Sequence, residues 1–281
     1  MSPQKTPVNV FAIKKGSIVN VLSSNILESG KNGRPALLFA LVVLMPLTIS
    51  AGVRSHSRVL IKPTVTANER LRLVSKLAQI TGWRKLAFDD KGELNPGDDG
   101  FVNGSSTARD LVDHAISGKN VIVIESANNR QDVVFCKIVP GVWNNGAETN
   151  PPAYVLMIDF SDFDRLVGDH TAAESFNIGW GVLHEFVHAV EDSVDSDEFG
   201  EVGACESTVN QMRRELGFAE RREYFYTPVP GQSRSNFRTA LVRLAFDEVL
   251  SESGKKKRHW LVWDAIAVGG LPKDLQVAAL N

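Results

Sequence analysis

Apolar residues at positions 71, 73, 74, 77, 78 and 80 recur at helical spacing across residues 67–80, and Gly82 stands where such a helix would end. A short strand at 85–88 and a Gly-, Asn- and Asp-rich stretch up to Gly104 follow, and then a second helix over 106–117 that opens on Ser106. Three β-rich runs, 120–124, 132–139 and 153–160, are separated by Asn, Gly and Pro, which predicts a small mixed or antiparallel sheet. Ser161 opens a capped turn or short helix. A long helix is expected from 172 to 193 and another from 202 to 216. The tail runs 237–246 and 258–263 flank Lys255, Lys256 and Lys257 and resemble a terminal β-hairpin, although the first run also suits a helix. There is no internal repeat. Helices and strands in this order predict an α+β fold.

Residues 35–53 break the pattern, because they carry no charge and are mostly apolar. A membrane span needs roughly 20 apolar residues, and this run is slightly short and contains Pro46; a signal-peptide apolar core is roughly 7–15 residues long. Ser50, Ala51 and Gly52 offer a cleavage site, and basic residues flank both ends. Signal peptide, anchor and buried core helix all remain open. The pattern places a targeting or anchor segment at 1–54 and one functional domain at 55–281. It implies a secreted or membrane-anchored protein, with membrane contact through 35–53 and the domain outside the cytoplasm.

Composition narrows the classes. With 43% apolar residues over 281 positions the chain can bury a real core, which excludes disorder over most of its length. Lys and Arg total 31 against 33 Asp and Glu, so the chain lacks the basic footprint of a general nucleic-acid binder. Cys136 and Cys205 are too few for a four-cysteine zinc site, and a single bridge between them stays open. Cys136 lies inside an apolar run and reads as a small core residue.

The histidines change the picture. His184, Glu185 and His188 form the pattern His-Glu-x-x-His within an apolar helical stretch. Positions four apart share a helix face, so both imidazoles reach one metal ion while Glu185 projects beside them toward a bound water. Neutral imidazole suits Zn²⁺, and zinc with three protein ligands keeps a fourth position for water. Counting every acid as Glu, random placement of six histidines and 33 acids gives about 0.015 such matches in this chain. A buried helix with two core histidines is the rival reading. Downstream, Val202, Cys205, Val209, Met212 and Leu216 form an apolar stripe, leaving Glu206 and Asn210 on the adjoining face. Packed against the first helix, this second helix would present Glu206 as the third ligand. Glu201 is the runner-up, and the other acids of 191–201 read as a solvated loop.

At these residues the chain resembles the gluzincin branch of zinc metallopeptidases, in which His-Glu-x-x-His is completed by a glutamate on a following helix. Glu206-Ser207-Thr208-Val209-Asn210 is similar to the family's Glu-x-x-x-Asp, with Asn in the last place. The run 200–217 also looks like uncharacterised bacterial zincin-like proteins. The metzincin spacing does not fit, since its Gly would fall at Glu191 and its third ligand at Val194. The resemblance covers about 66–264 in arrangement and is specific over about 178–226. It implies a zincin-like fold, a small mixed sheet packed on the helix with His-Glu-x-x-His and a following helix with Glu. It also implies hydrolysis of a peptide or protein substrate with Glu185 as general base. Tyr224 and Tyr226 are candidates to assist the oxyanion, or else packing aromatics. A non-catalytic zincin-like binding domain and a secreted effector or toxin protease are the alternatives.

Overall fold

Val59 and Ile61 are buried on either side of a half-exposed Leu60, the alternation of a short strand, β1 (Val59–Ile61). The computed structural model describes residues 56–142, 151–230 and 240–269. The proposed segment 1–54 and its run 35–53 lie outside the described residues. Thr66 begins α1 (Ala67–Thr81) with a capping box shared with Glu69, and Gly82 ends it in the left-handed conformation at φ 79°. The small hairpin β2 (Ala87–Phe88) and β3 (Leu94–Asn95) leads to α2 (Ser106–Ser117), capped by Ser105.

The principal sheet is built from β1, β4 (Val121–Ser126), β5 (Cys136–Gly141) and β6 (Ala153–Ile158), in the order β1-β4-β6-β5. β4 pairs parallel with both β1 and β6, and β5 lies antiparallel at the edge, so the sheet is mixed. Val121 through Ile124 are buried on both faces, as a central strand requires. Ile122, Ile124, Leu156 and Ile158 turn to the helices, and Val121, Val123 and Ala153 to a smaller cluster on the other face.

After β6 come α3 (Phe160–Asp164), β7 (Val167–Gly168), α4 (His170–Ser175) and α5 (Ile178–Glu191). The single helix expected over 172–193 is therefore two. Phe176 is extended, and Asn177 restarts the helix by accepting from the Gly179 amide. The strand expected over 132–139 begins late, because Phe135 sits at φ 60° with its amide held by Asp162. α6 (Gly203–Leu216) ends at Gly217. A second sheet follows from β8 (Glu220–Arg221), β9 (Thr227–Pro228), β10 (Leu241–Val249) and β11 (Lys256–Asp264), and α7 (Ala265–Val268) closes the described chain. The tail is thus a hairpin, with β10 and β11 antiparallel over their whole length.

The molecule is α+β with several sheets and helices. α5 lies at the centre of the helical layer against α1, α2 and α6, and touches β5 and β6. Among the described residues no helix is long and apolar enough to cross a membrane.

Candidate metal centre

α5 is amphipathic only in a narrow sense: Trp180, Val182, Leu183, Phe186, Val187 and Ala189 are all buried, and the polar residues among them are nearly so. His184 is 9% exposed and Glu185 8%. Buried polar groups need partners, and the partners define the site. The rings of His184 and His188 stand edge to face with centroids 5.0 Å apart, as their four-residue spacing requires.

Asp192 ends α5 in the left-handed conformation (φ 53°, ψ 32°), which turns the chain back over the last helical turn. Ser193 then places its carbonyl 2.8 Å from His188 Nδ1. A carbonyl only accepts, so Nδ1 carries a proton and Nε2 is the nitrogen turned toward the site. Two residues on, Asp195 reaches both histidines. Its Oδ1 is 3.0 Å from His184 Nε2 and its Oδ2 3.3 Å from His188 Nε2. Ligand atoms of His184, His188 and Asp195 lie within 4.8 Å of one another. Asp195 Oδ1 is buried and makes no aligned hydrogen bond, which leaves an acceptor aimed at the histidines without a donor. Tyr224 donates its hydroxyl to Asp195 Oδ2 at 2.7 Å and stacks on the His184 ring, centroids 6.0 Å apart and planes 17° apart.

The electrostatics follow from this packing. Burial alone would lower the pKa of His184, but Asp195 and Glu206 outweigh it and raise it to about 9. Asp195, with help from Cys205, lifts His188 to about 11. Burial opposes ionisation of Asp195, yet the two imidazoles hold its carboxyl well below the usual range. Burial raises Glu185, only partly offset by the neighbouring histidines. Its Oε2 accepts the Ile138 amide of the edge strand β5 at 3.0 Å.

The structure does not bring Glu206 to the convergence of the two Nε2 atoms. It is 1% exposed, and its Oε2 lies 3.1 Å from Nδ1 of His184, on the opposite side of the ring. Arg213 and Arg221 pair with its two oxygens, and they and His184 hold its carboxyl well below the usual range against the cost of burial. Nor is Glu201 at the histidines; it is exposed, with Oε2 3.4 Å from the Ser196 hydroxyl. Tyr226 packs on Trp263, centroids 5.2 Å apart. Asn210 holds Arg213 and the backbone of Arg221 rather than a histidine. Both cysteines are free thiols, with Cys205 Sγ 3.2 Å from His188 Nδ1. Asp195 lay among the acids read as a solvated loop. Nothing in the sequence singles it out: Val194 keeps the helical spacing of Val187 and Val190, so apolar periodicity does not mark the turn that brings Asp195 back over the helix end.

No protein-family model matches the chain, and no curated protein or solved structure matches it either.

Proposed function

We propose that the chain is a zinc-dependent hydrolase of peptide bonds with a zincin-type site, in which His184, His188 and Asp195 are the ligands and Glu185 is the general base. The observation that carries this reading is the approach of one half-buried carboxylate to the Nε2 atoms of both motif histidines, at 3.0 and 3.3 Å. Two imidazoles and a carboxylate form a donor set that suits zinc. Ligand atoms about 2.0–2.1 Å from a tetrahedral ion stand about 3.3–3.4 Å apart; the two Asp195–histidine approaches are near this, and all three ligand atoms lie within 4.8 Å of one another.

Zinc, when bound, supplies Lewis-acid chemistry, polarising a carbonyl and acidifying water. The remaining work falls to the chain. Ser193 holds the His188 ring with Nε2 facing the site. Tyr224 fixes Asp195 through its hydroxyl, which makes it an orienting group rather than a free oxyanion donor. The Ile138 amide anchors Glu185 Oε2, leaving Oε1 to take the proton of the attacking water and later return it to the leaving amine. Burial raises Glu185, bringing its basicity nearer to neutral pH.

The decisive experiment is metal analysis of the purified protein alongside Glu185→Gln. The variant is expected to keep stoichiometric zinc and to lose hydrolysis of a broad peptide library, by about 10²-fold or more. Zinc-free wild-type protein, or full activity in the variant, would overturn the reading. A metal-holding domain without hydrolysis is the second reading, favoured by the engagement of Glu185 with the Ile138 amide; in that case the wild type binds zinc and cleaves nothing in the library.

A further inference from the structure

We propose that Glu206 is a positioning residue, an acid that Arg213 and Arg221 lock against Nδ1 of His184 so that this ring presents Nε2 to the metal. The proposal rests on the zinc reading above. A neutral imidazole carries one proton, and using Nε2 as ligand forces that proton onto Nδ1. In His188 the Ser193 carbonyl receives it at 2.8 Å. In His184 the acid facing Nδ1 is Glu206, with Oε2 at 3.1 Å; the two atoms approach without hydrogen-bond alignment, and Nδ1 otherwise has no partner among the described residues. A buried donor in that position needs this acceptor.

The two arginines are what make the acid rigid. Arg213 is 1% exposed and pairs with Glu206 Oε1, donates through Nε to the Ser175 carbonyl at 2.9 Å and through Nη1 to Asn210 Oδ1 at 2.7 Å. It also lies over the rings of Trp180 and Phe246, at 5.1 and 5.5 Å from their centroids. Arg221 approaches Glu206 Oε2 at 3.0 Å and donates to the carbonyls of Glu223, at 3.1 Å, and Tyr224. A buried Arg-Glu-Arg cluster is a poor device for stability, since apolar residues of similar volume often serve as well or better. Its place against one ring nitrogen gives it a purpose, because the partners of metal-bound histidines set ring orientation and metal affinity.

The test measures zinc affinity by chelator competition in the full chain, for wild type, Glu206→Gln and the double variant Glu206→Gln/Arg213→Met, together with ¹⁵N NMR of the histidine rings in the zinc-loaded wild type and variants. The double variant removes the buried pair as a unit and keeps the comparison open if the single change unfolds the protein. Affinity is expected to fall about 10–100-fold in the variants. In the wild type the His184 ring is expected as the Nδ1-protonated tautomer with a slowly exchanging proton, and the variants should disturb that signal while leaving His188 in place. Wild-type affinity in a folded variant, or an Nε2-protonated His184 in the loaded protein, overturns the role of Glu206 and leaves the zinc site standing. Wild-type protein that binds no zinc overturns both.

Discussion

Asp195 stands seven positions beyond His188 in the chain, yet its Oδ2 lies 3.3 Å from the Nε2 of that histidine. A helix would carry the two residues nearly two turns apart. The left-handed Asp192 ends α5 and folds the next three residues back along it, which converts an acidic loop residue into a candidate ligand. Asp195→Ala is therefore expected to weaken zinc binding by more than about 100-fold, beyond the usual effect of losing a supporting contact. Glu201→Gln is expected to change it little. Zinc titration of the two variants decides between them, and the reverse order would return Glu201 to the ligand set.

The two tyrosines separate in the same way. Tyr224 donates to Asp195 Oδ2 at 2.7 Å, with burial and the Asp195 charge both raising its pKa so that it keeps its proton. Tyr226 touches the Trp263 ring and, half-buried, packs against the main core. Tyr224→Phe should cost about 10-fold in zinc affinity while preserving the fold, as expected for a residue that orients a ligand. Tyr226→Phe should cost nothing measurable there. Equal affinity in the Tyr224→Phe protein and the wild type would show that Asp195 needs no such support.

These positions also mark how far the sequence could be read. His184, Glu185 and His188 were legible because a four-residue spacing on a helix fixes their relative placement without reference to the rest of the fold. α1 was legible because Gly82 and the apolar spacing agree, and α6 because its apolar stripe does. The path of residues 192–195 was not, since it turns on one non-glycine residue adopting a left-handed conformation. The same physics delayed β5: Phe135 is held at φ 60° by a long-range bond to Asp162, a contact with no periodic signature. The apolar stripe of α6 puts Glu206 on the adjoining face, turned toward α5, but spacing cannot show that it meets Nδ1 of His184 rather than the side where the two Nε2 atoms converge.

Gly179 couples the fold to the site. It lies where α5 crosses α1, and a Cβ added there would stand 2.9 Å from Ile80 Cδ1 and 3.1 Å from the Lys76 carbonyl carbon. Ile80 can swing away at its tip, but the α1 backbone must retreat. Gly179→Ala would gain about 1 kcal/mol in helix propensity and lose about 1–3 kcal/mol to crowding. A net loss near 1 kcal/mol is expected, seen as a thermal midpoint lower by about 2–4 °C. A higher midpoint would mean that α1 yields freely.

Asp162 gives a pH dependence that does not involve the histidines. Its carboxyl is 1% exposed, and burial, reinforced by the charge of Asp159, raises its pKa to about 6 despite the Phe135 amide and Arg165. In the unfolded chain the same group titrates near its ordinary value of about 3.9. Between pH 4 and 6 the folded protein therefore holds a proton that the unfolded chain has released, and stability contributed by this group falls as pH rises through that window. Below about pH 4 both states are protonated and the penalty vanishes. Asp162→Asn keeps an acceptor for the Phe135 amide and removes the titration. The drop in thermal midpoint from pH 4.5 to 7 should be smaller in the variant than in wild type, other acids contributing equally to both. Identical slopes would show that Asp162 is charged in the folded protein throughout, with Arg165, 2.9 Å from Oδ1, as the partner that keeps it so.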